Sequence, residues 1–401
     1  MLAYHFTEMP YPYFPPDAEA EYGTPRVLLP NRYYDPNIGA DLYNRYLDEY
    51  VYADELGLEI MLNEHHQTAT CTDVAVSLSA AILARQTKRA KICILGTPLP
   101  HRDNPVRVAE EIAMLDCISH GRIISGFVRG VGTEVHPANT NPTLTRERME
   151  ESHDLIVKAW TTREPFNWEG KHWHFRYVNV WPRTYQQPHP PIWITGTSPD
   201  NVPWVADHQY VFAAFLMAYD DVSRLYDIYR RRTAELGLPA PGTERFAYLA
   251  LCHTAETDEK AMEQGRELMW YLGRRRHAAL TNPPGFNSVK TNMMMLAGID
   301  KPRGDTFESL MAKGIVIAGS PTTVARQIKE WHRRGVGHLL MMNQAGALSP
   351  EITRRSMELF AKEVYPELKE LDPRPASEDA VGTGPSEPAP VVQRRVMDAE
   401  G

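Results

Sequence analysis

The sequence predicts an α/β fold: a single TIM-type (β/α)8 barrel with insertions after strand 1, helix 4 and strand 7. Short apolar runs rich in β-formers alternate with helix-patterned segments along most of the chain, which is the pattern of parallel β/α architecture. The 401 residues, 43% hydrophobic and 23% charged, suffice for one large core. Nine candidate runs are present for eight staves.

In chain order these runs cover residues 2–9, 58–64, 91–97, 122–128, 191–195, 210–216, 246–254, 314–318 and 338–343. Because 314–318 lies immediately before a helix, it is expected to be a short strand outside the barrel, with 338–343 as the eighth stave. Two helices carry clear start signals. Asn104 can cap a helix with Pro105 at its first position, and Val108, Ile112 and Leu115 then share one face. Ser320 and Pro321 begin another, with Val324, Ile328 and Trp331 as its buried stripe and Gly335 at its end.

Three stretches interrupt the repeat. Residues 11–36 are rich in proline and aromatics (Tyr11, Tyr13, Phe14, Tyr22, Tyr33, Tyr34) and follow the first strand, which places them on the C-terminal face where barrel enzymes work. Residues 168–180 read as a small β-excursion after the fourth helix. Residues 273–313, with Asn282-Pro283-Pro284-Gly285, form a long segment after the seventh strand and are expected to act as a lid. The barrel domain is expected over 1–366. A tail at 367–401, poor in large apolar residues from Asp372 onward, is expected to be disordered.

A net charge of −8, from 51 acidic and 43 basic residues without a long basic run, removes the usual footprint of nucleic-acid or anionic-membrane binding. No apolar run is long enough to span a bilayer, and residues 1–16 do not read as an export signal. Cys71, Cys93, Cys117 and Cys252 are widely spaced and form no CxxC pair, so they read as reduced thiols of a cytoplasmic protein.

Four clusters carry chemistry. The first is Asn63-Glu64-His65-His66, at the end of the second run. Only one of two consecutive strand-end residues can face the barrel mouth, so one histidine should meet the chemistry. A hydrogen-bonded structural pair and metal ligation are the competing readings. The second is Ser125-Gly126-Phe127-Val128-Arg129-Gly130, an arginine bracketed by glycines, whose planar fork suits a phosphate. A surface arginine paired with an acid is the alternative. The third, Thr195-Gly196-Thr197-Ser198-Pro199-Asp200-Asn201, offers hydroxyls and free N–H groups at a helix start, which suit an anion or an ordinary cap. The fourth, Leu95-Gly96-Thr97-Pro98, is either a flat surface for a planar ring or a simple turn.

Taken in order, Glu64–His66, LPHRDNPVRVAEE at 99–111, LDCISHGRIISGFVRG at 115–130 and PPIWITGTSPDNVPWV at 190–205 resemble the luciferase-like flavin monooxygenase family. That resemblance implies a barrel with insertions that binds reduced FMN at its C-terminal mouth. A flavin hydroperoxide formed with dioxygen would then insert oxygen into a small, mostly apolar organic substrate. Carried over residue by residue, it makes His65 the active-site histidine and Arg129 the phosphate contact. Gly196, Thr197 and Ser198, with Asn201, would hold the other phosphate oxygens. Leu95 and Gly96 fall where the family often has a non-proline cis peptide under the isoalloxazine, with Asn63 and Val128 beside it. The chain departs from the family at Thr197, where some members carry an acid, and at Val128, where luciferase has a cysteine, which argues against assuming luminescence. No GxGxxG follows any strand, so a separate NAD(P)H:flavin reductase is expected to deliver the reduced flavin. A homodimer or homotetramer is also expected. Rival readings are a deazaflavin-dependent hydride-transfer enzyme of the same fold, a metal-dependent barrel hydrolase using His65 and His66, and a flavin-storage protein.

Overall fold

The computed structural model describes residues 1–130, 132–273 and 305–371. Eight parallel strands close a barrel: β1 (Leu2–Thr7), β2 (Glu59–Leu62), β3 (Ile92–Pro98), β4 (Ile123–Val128), β7 (Ile192–Thr195), β8 (Val211–Phe215), β9 (Phe246–Thr254) and β11 (His338–Gln344). Pairing of β8 with β9, β9 with β11 and β11 with β1 completes the ring. β10 (Val316–Gly319) pairs with the C-terminal end of β9, from Val316 opposite Leu251 to Gly319 opposite Thr254. It therefore stands outside the closure, and His338–Gln344 is the eighth stave, as the pattern predicts.

Strand alternation sorts the core into two clusters. Tyr4 and Phe6 of β1, Met61 of β2, Cys93 and Leu95 of β3, Ile124, Trp193, Ala213, Leu249 and Leu340 pack together inside the barrel. Their chain neighbours Ala3, Ile60, Leu62, Ile92, Ile94, Ile123 and Ile194 point outward and pack under the helices. Trp193 meets His338 at 4.7 Å and Tyr4 at 5.6 Å between ring centroids, so the barrel is filled rather than hollow.

The helix Pro105–Ser119 starts as its sequence indicates: the Asn104 side chain accepts from the Arg107 N–H at 3.1 Å, and Val108, Ile112 and Leu115 are buried. The helix Pro321–Arg333 also begins at the expected residue, but its cap is not the Ser320 hydroxyl. Asp258 supplies it from elsewhere in the fold, accepting from the Ser320 N–H at 2.7 Å and from the Thr323 hydroxyl at 3.0 Å.

The insertion after β1 holds the helix Pro16–Tyr22 and lies over the loop that follows β2. Val27 donates to the Gln67 carbonyl at 3.0 Å, and Ala69 donates to the Pro25 carbonyl at 3.2 Å. The excursion after the fourth barrel helix, Thr145–Thr161, is an antiparallel hairpin of β5 (Phe166–Glu169) and β6 (His174–Val178). Of the expected lid at 273–313, residues 274–304 lie outside the described residues; Phe307–Ala312 is a helix. The helix Tyr365–Lys369 crosses the expected boundary at 366, and its Leu368 carbonyl accepts from the Met1 ammonium at 3.2 Å. Residues 372–401 lie outside the described residues. Among the described residues no helix is long and apolar enough to cross a membrane.

Candidate active site

The alternation that sends Met61 inward and Leu62 outward continues past the end of β2. Asn63 and His65 bond groups at the mouth, while Glu64 turns to the helix start at Val76 and holds His66. Glu8 extends the inward series of Tyr4 and Phe6 in the same way. Its Oε2 accepts from Asn63 Nδ2 at 3.3 Å and lies 3.9 Å from His65 Nε2. On its other edge His65 Nδ1 lies 2.5 Å from Oε1 of Glu134, which arrives on the helix Gly132–Ala138 after β4. The His65 side chain is 21% exposed, whereas Glu8 and Glu134 are buried.

Burial alone would lower the His65 pKa, but the charge and hydrogen bond of Glu134, helped by Glu8, outweigh it and hold the imidazole above its ordinary 6.5. Glu134 responds in the opposite sense. Its burial would raise its pKa, yet the pairing with His65 brings it below the usual carboxylate value. The pairing favours the protonated imidazole at the barrel mouth, oriented by a carboxylate behind it. Close by, His101 is turned away from this role. Its Nδ1 bonds the Thr140 hydroxyl at 2.6 Å, and burial pushes its pKa down to about 4.

The outward residues do a structural job. The Glu64 carboxylate bonds Arg102 Nη2 at 2.6 and 2.5 Å, His66 Nε2 at 3.2 Å and the Val76 N–H at 3.2 Å. It thereby ties the strand end to the start of the helix Val76–Gln86. Glu64→Ala leaves three donors without their acceptor. With Arg102 partly solvated, a loss of ~2–3 kcal/mol is expected in urea unfolding, below the ~3–5 kcal/mol of a fully buried pair. An unchanged midpoint would show that this hub holds nothing.

His65 and His66 bond different carboxylates, Glu134 and Glu64, and they are not part of the three-donor cluster found among the described residues. Among the described residues, His153, Asp154 and His208 bring three donor atoms within 4.8 Å of one another. That group lies at the other end of the barrel, where His153 Nε2 bonds the hydroxyl of Tyr210, just before β8 begins.

Next to the polar cluster, the Leu95–Gly96 peptide of β3 is cis. The Leu95 side chain is buried in the interior. A Cβ on Gly96 would stand 2.4 Å from Val128 Cγ1, so only glycine fits against β4 here. Asn63, Leu95, Gly96 and Val128 thus lie at the ends of three adjacent strands, β2, β3 and β4, with Glu8 on β1 beside them.

Farther round the rim, β4 pairs with β7, Phe127 opposite Ile194, which brings Arg129 beside the loop of Gly196, Thr197 and Ser198. Arg129 and Thr197 are exposed, and no hydrogen bond to the Arg129 guanidinium is found among the described residues. Partial burial and the neighbouring positive charge of Arg146 push the Arg129 pKa down, which marks two guanidinium groups in proximity. Arg146 Nη1 donates to the Asp200 carbonyl at 3.1 Å. The Ser198 hydroxyl makes no bond to the helical turn it precedes. Two cations and two uncommitted hydroxyls therefore share one edge of the mouth.

Sequence reading missed Glu8, Glu134 and Arg146. Glu8 was recoverable, since it continues the alternation Tyr4, Phe6. The other two lie on helix surfaces, where no periodicity marks them.

The fold and this mouth define a (β/α)8 barrel protein with a carboxylate-oriented histidine at the mouth and Arg129 and Arg146 on its rim. The chain belongs to the luciferase-like monooxygenase family, whose sequence profile matches residues 27–338. It is 25% identical over 319 residues to the alkanal monooxygenase alpha chain of Photobacterium leiognathi, covering 77% of this chain and 88% of that one. Among solved structures it resembles the oxygenating constituent of 3,6-diketocamphane monooxygenase from Pseudomonas putida, a type II Baeyer-Villiger monooxygenase in complex with FMN. The TM-score is 0.69 at 23% identity, with 91% of this chain and 98% of that one covered. An F420-dependent secondary alcohol dehydrogenase shares the fold at TM-score 0.62 and 13% identity, covering 83% and 95%.

Proposed function

We propose that the protein takes reduced FMN and dioxygen and inserts one oxygen atom into a small, mostly apolar organic molecule, with the second oxygen leaving as water. The observation that carries this reading is the placement of the His65–Glu134 pair on the same mouth as the Leu95–Gly96 surface and the Arg129 rim. A flavin lying there would have its phosphate at Arg129, Thr197 and Ser198, and its ring beside Leu95, Gly96, Asn63 and Val128. Bound reduced flavin supplies the electron pair and the activation of dioxygen. The chain supplies the rest: a cationic rim that binds, a flat surface that orients, and an imidazole that holds a proton at Nε2 toward the opening while Glu134 fixes Nδ1. Since no dinucleotide-binding glycine motif follows a strand, NAD(P)H oxidation is assigned to a separate reductase.

The fit of the residues is tested by titrating the purified protein with FMN and following the flavin spectrum. A stoichiometric complex is expected, and chemically reduced FMN should then support substrate-dependent consumption of dioxygen. Turnover that proceeds equally well without dioxygen, or binding of a deazaflavin in place of FMN, would replace this reading with hydride transfer.

A further inference from the structure

Arg26 lies in the insertion after β1, pinned by a bridge to Thr68 in the loop that follows β2. Its side chain is 4% exposed, and the Tyr271 ring centroid lies 5.0 Å from its guanidinium carbon. It feels the charge of Glu8, and His65 in turn feels its charge, so it belongs to the polar cluster at the mouth. Tyr271 also hydrogen-bonds this side chain, yet Nε and Nη2 are buried and have no acceptor among the described residues.

Those two nitrogens form the side-on fork of the guanidinium, whose parallel N–H bonds match the two oxygens of a planar carboxylate. Leaving them empty in a buried position is costly, since each unmet donor forfeits its hydration. Glu8 is the nearby carboxylate, but its Oε2 is committed to Asn63 Nδ2 and turned toward His65. Among the described residues nothing fills the fork, so a carboxylate that reaches it would meet both donors.

We infer that Arg26 anchors a carboxylate carried by the organic substrate, with the apolar remainder of that molecule lying toward the flavin surface. This inference rests on the mouth being the active site. It concerns recognition alone, because Arg26 binds the substrate at a distance from the group that is oxygenated.

Calorimetric titration of the full chain with benzoate and hexanoate, against benzamide and hexanamide, tests it without turnover. Both acids are expected to bind at least tenfold more tightly than their amides. Arg26→Met, which removes the charge, and Arg26→Lys, which keeps the charge but lacks the fork, should each weaken benzoate at least tenfold while FMN affinity stays within threefold. Equal binding of acids and amides, no binding of either acid, or full retention of benzoate by both variants would overturn the assignment. If FMN affinity falls instead and benzoate is unaffected, the fork serves the flavin ring and the assignment is equally lost. Should Arg26→Met fail to fold, Arg26→Lys and the acid–amide comparison in the unmodified chain decide. A wild-type chain that binds benzoate but not FMN would break the monooxygenase reading while leaving the carboxylate site standing.

Discussion

Replacing His65 with alanine is expected to lower substrate oxygenation by ~10²-fold or more, while FMN affinity stays within severalfold and reducing equivalents are diverted to free hydrogen peroxide. A positioned acid–base group contributes roughly that much to a rate. The structure supplies the positioning. Nδ1 is held by Glu134 at 2.5 Å, and the ring is partly exposed toward the opening with Glu8 at 3.9 Å from Nε2. His66→Ala should act differently, lowering stability modestly through the Glu64 hub with little effect on coupling. Product yield and peroxide release measured side by side for the two variants decide the matter. A coupled, fully active His65→Ala enzyme would remove the histidine from the reaction.

The same pair sets a pH dependence whose sign can be worked out. Glu134 raises the His65 pKa, so the stability contributed by this ion pair is complete below about pH 6.5 and fades as pH rises through the raised folded-state value. On the acid side, Glu134 has a lowered folded-state pKa, and its contribution is lost only as pH falls through that value. Glu134→Gln keeps the shape but removes the charge. Oxygenation in that variant should therefore lose its alkaline limb at a lower pH than in the wild type. An unmoved limb would mean that another group titrates there.

How much of this was legible in the sequence follows from where each residue sits. The staves are short, buried on both faces and bounded by turns, so the apolar runs reported them with boundaries that differ by a residue or two. The two-residue period requires only that one of His65 and His66 face the mouth, and the choice of His65 came from the family resemblance, since nothing in the composition separates the two. Ser320 and Pro321 marked the helix start correctly, but the acceptor that serves it, Asp258, is 62 residues away in sequence, where local capping rules cannot see it. Glu134 was missed for a related reason. The helix that carries it is only Gly132–Ala138, with a proline inside, too brief and irregular for a periodic pattern to show which side faces the mouth. Arg26 sits in a proline-rich insertion whose path is set by backbone bonds to the loop after β2. Residues that hold the barrel together repeat with the fold, whereas residues that equip its mouth come from the connections, which do not repeat.

Arg129→Ala is expected to weaken FMN tenfold to a hundredfold while leaving riboflavin nearly unchanged. The argument begins with the pairing of β4 and β7, which sets the residue after Val128 beside the loop after Thr195. Arg129 is exposed there without a hydrogen-bonded partner among the described residues, and Arg146 stands near enough to push its pKa down. Two like charges near one another, only partly offset by Asp200, favour an anion beside them, and the hydroxyls of Thr197 and Ser198 can donate to the same group. Charge-assisted hydrogen bonds to a phosphate contribute about 1.5–3 kcal/mol each, which is one to two powers of ten in affinity. Riboflavin has the same ring and no phosphate, so the difference between the two ligands isolates the rim from the Leu95–Gly96 surface. Raising the salt concentration should shrink the wild-type preference for FMN and leave the alanine variant less sensitive, because the rim is partly solvated. Equal weakening of FMN and riboflavin in Arg129→Ala would show that the arginine supports the mouth as a whole and that the phosphate is held elsewhere.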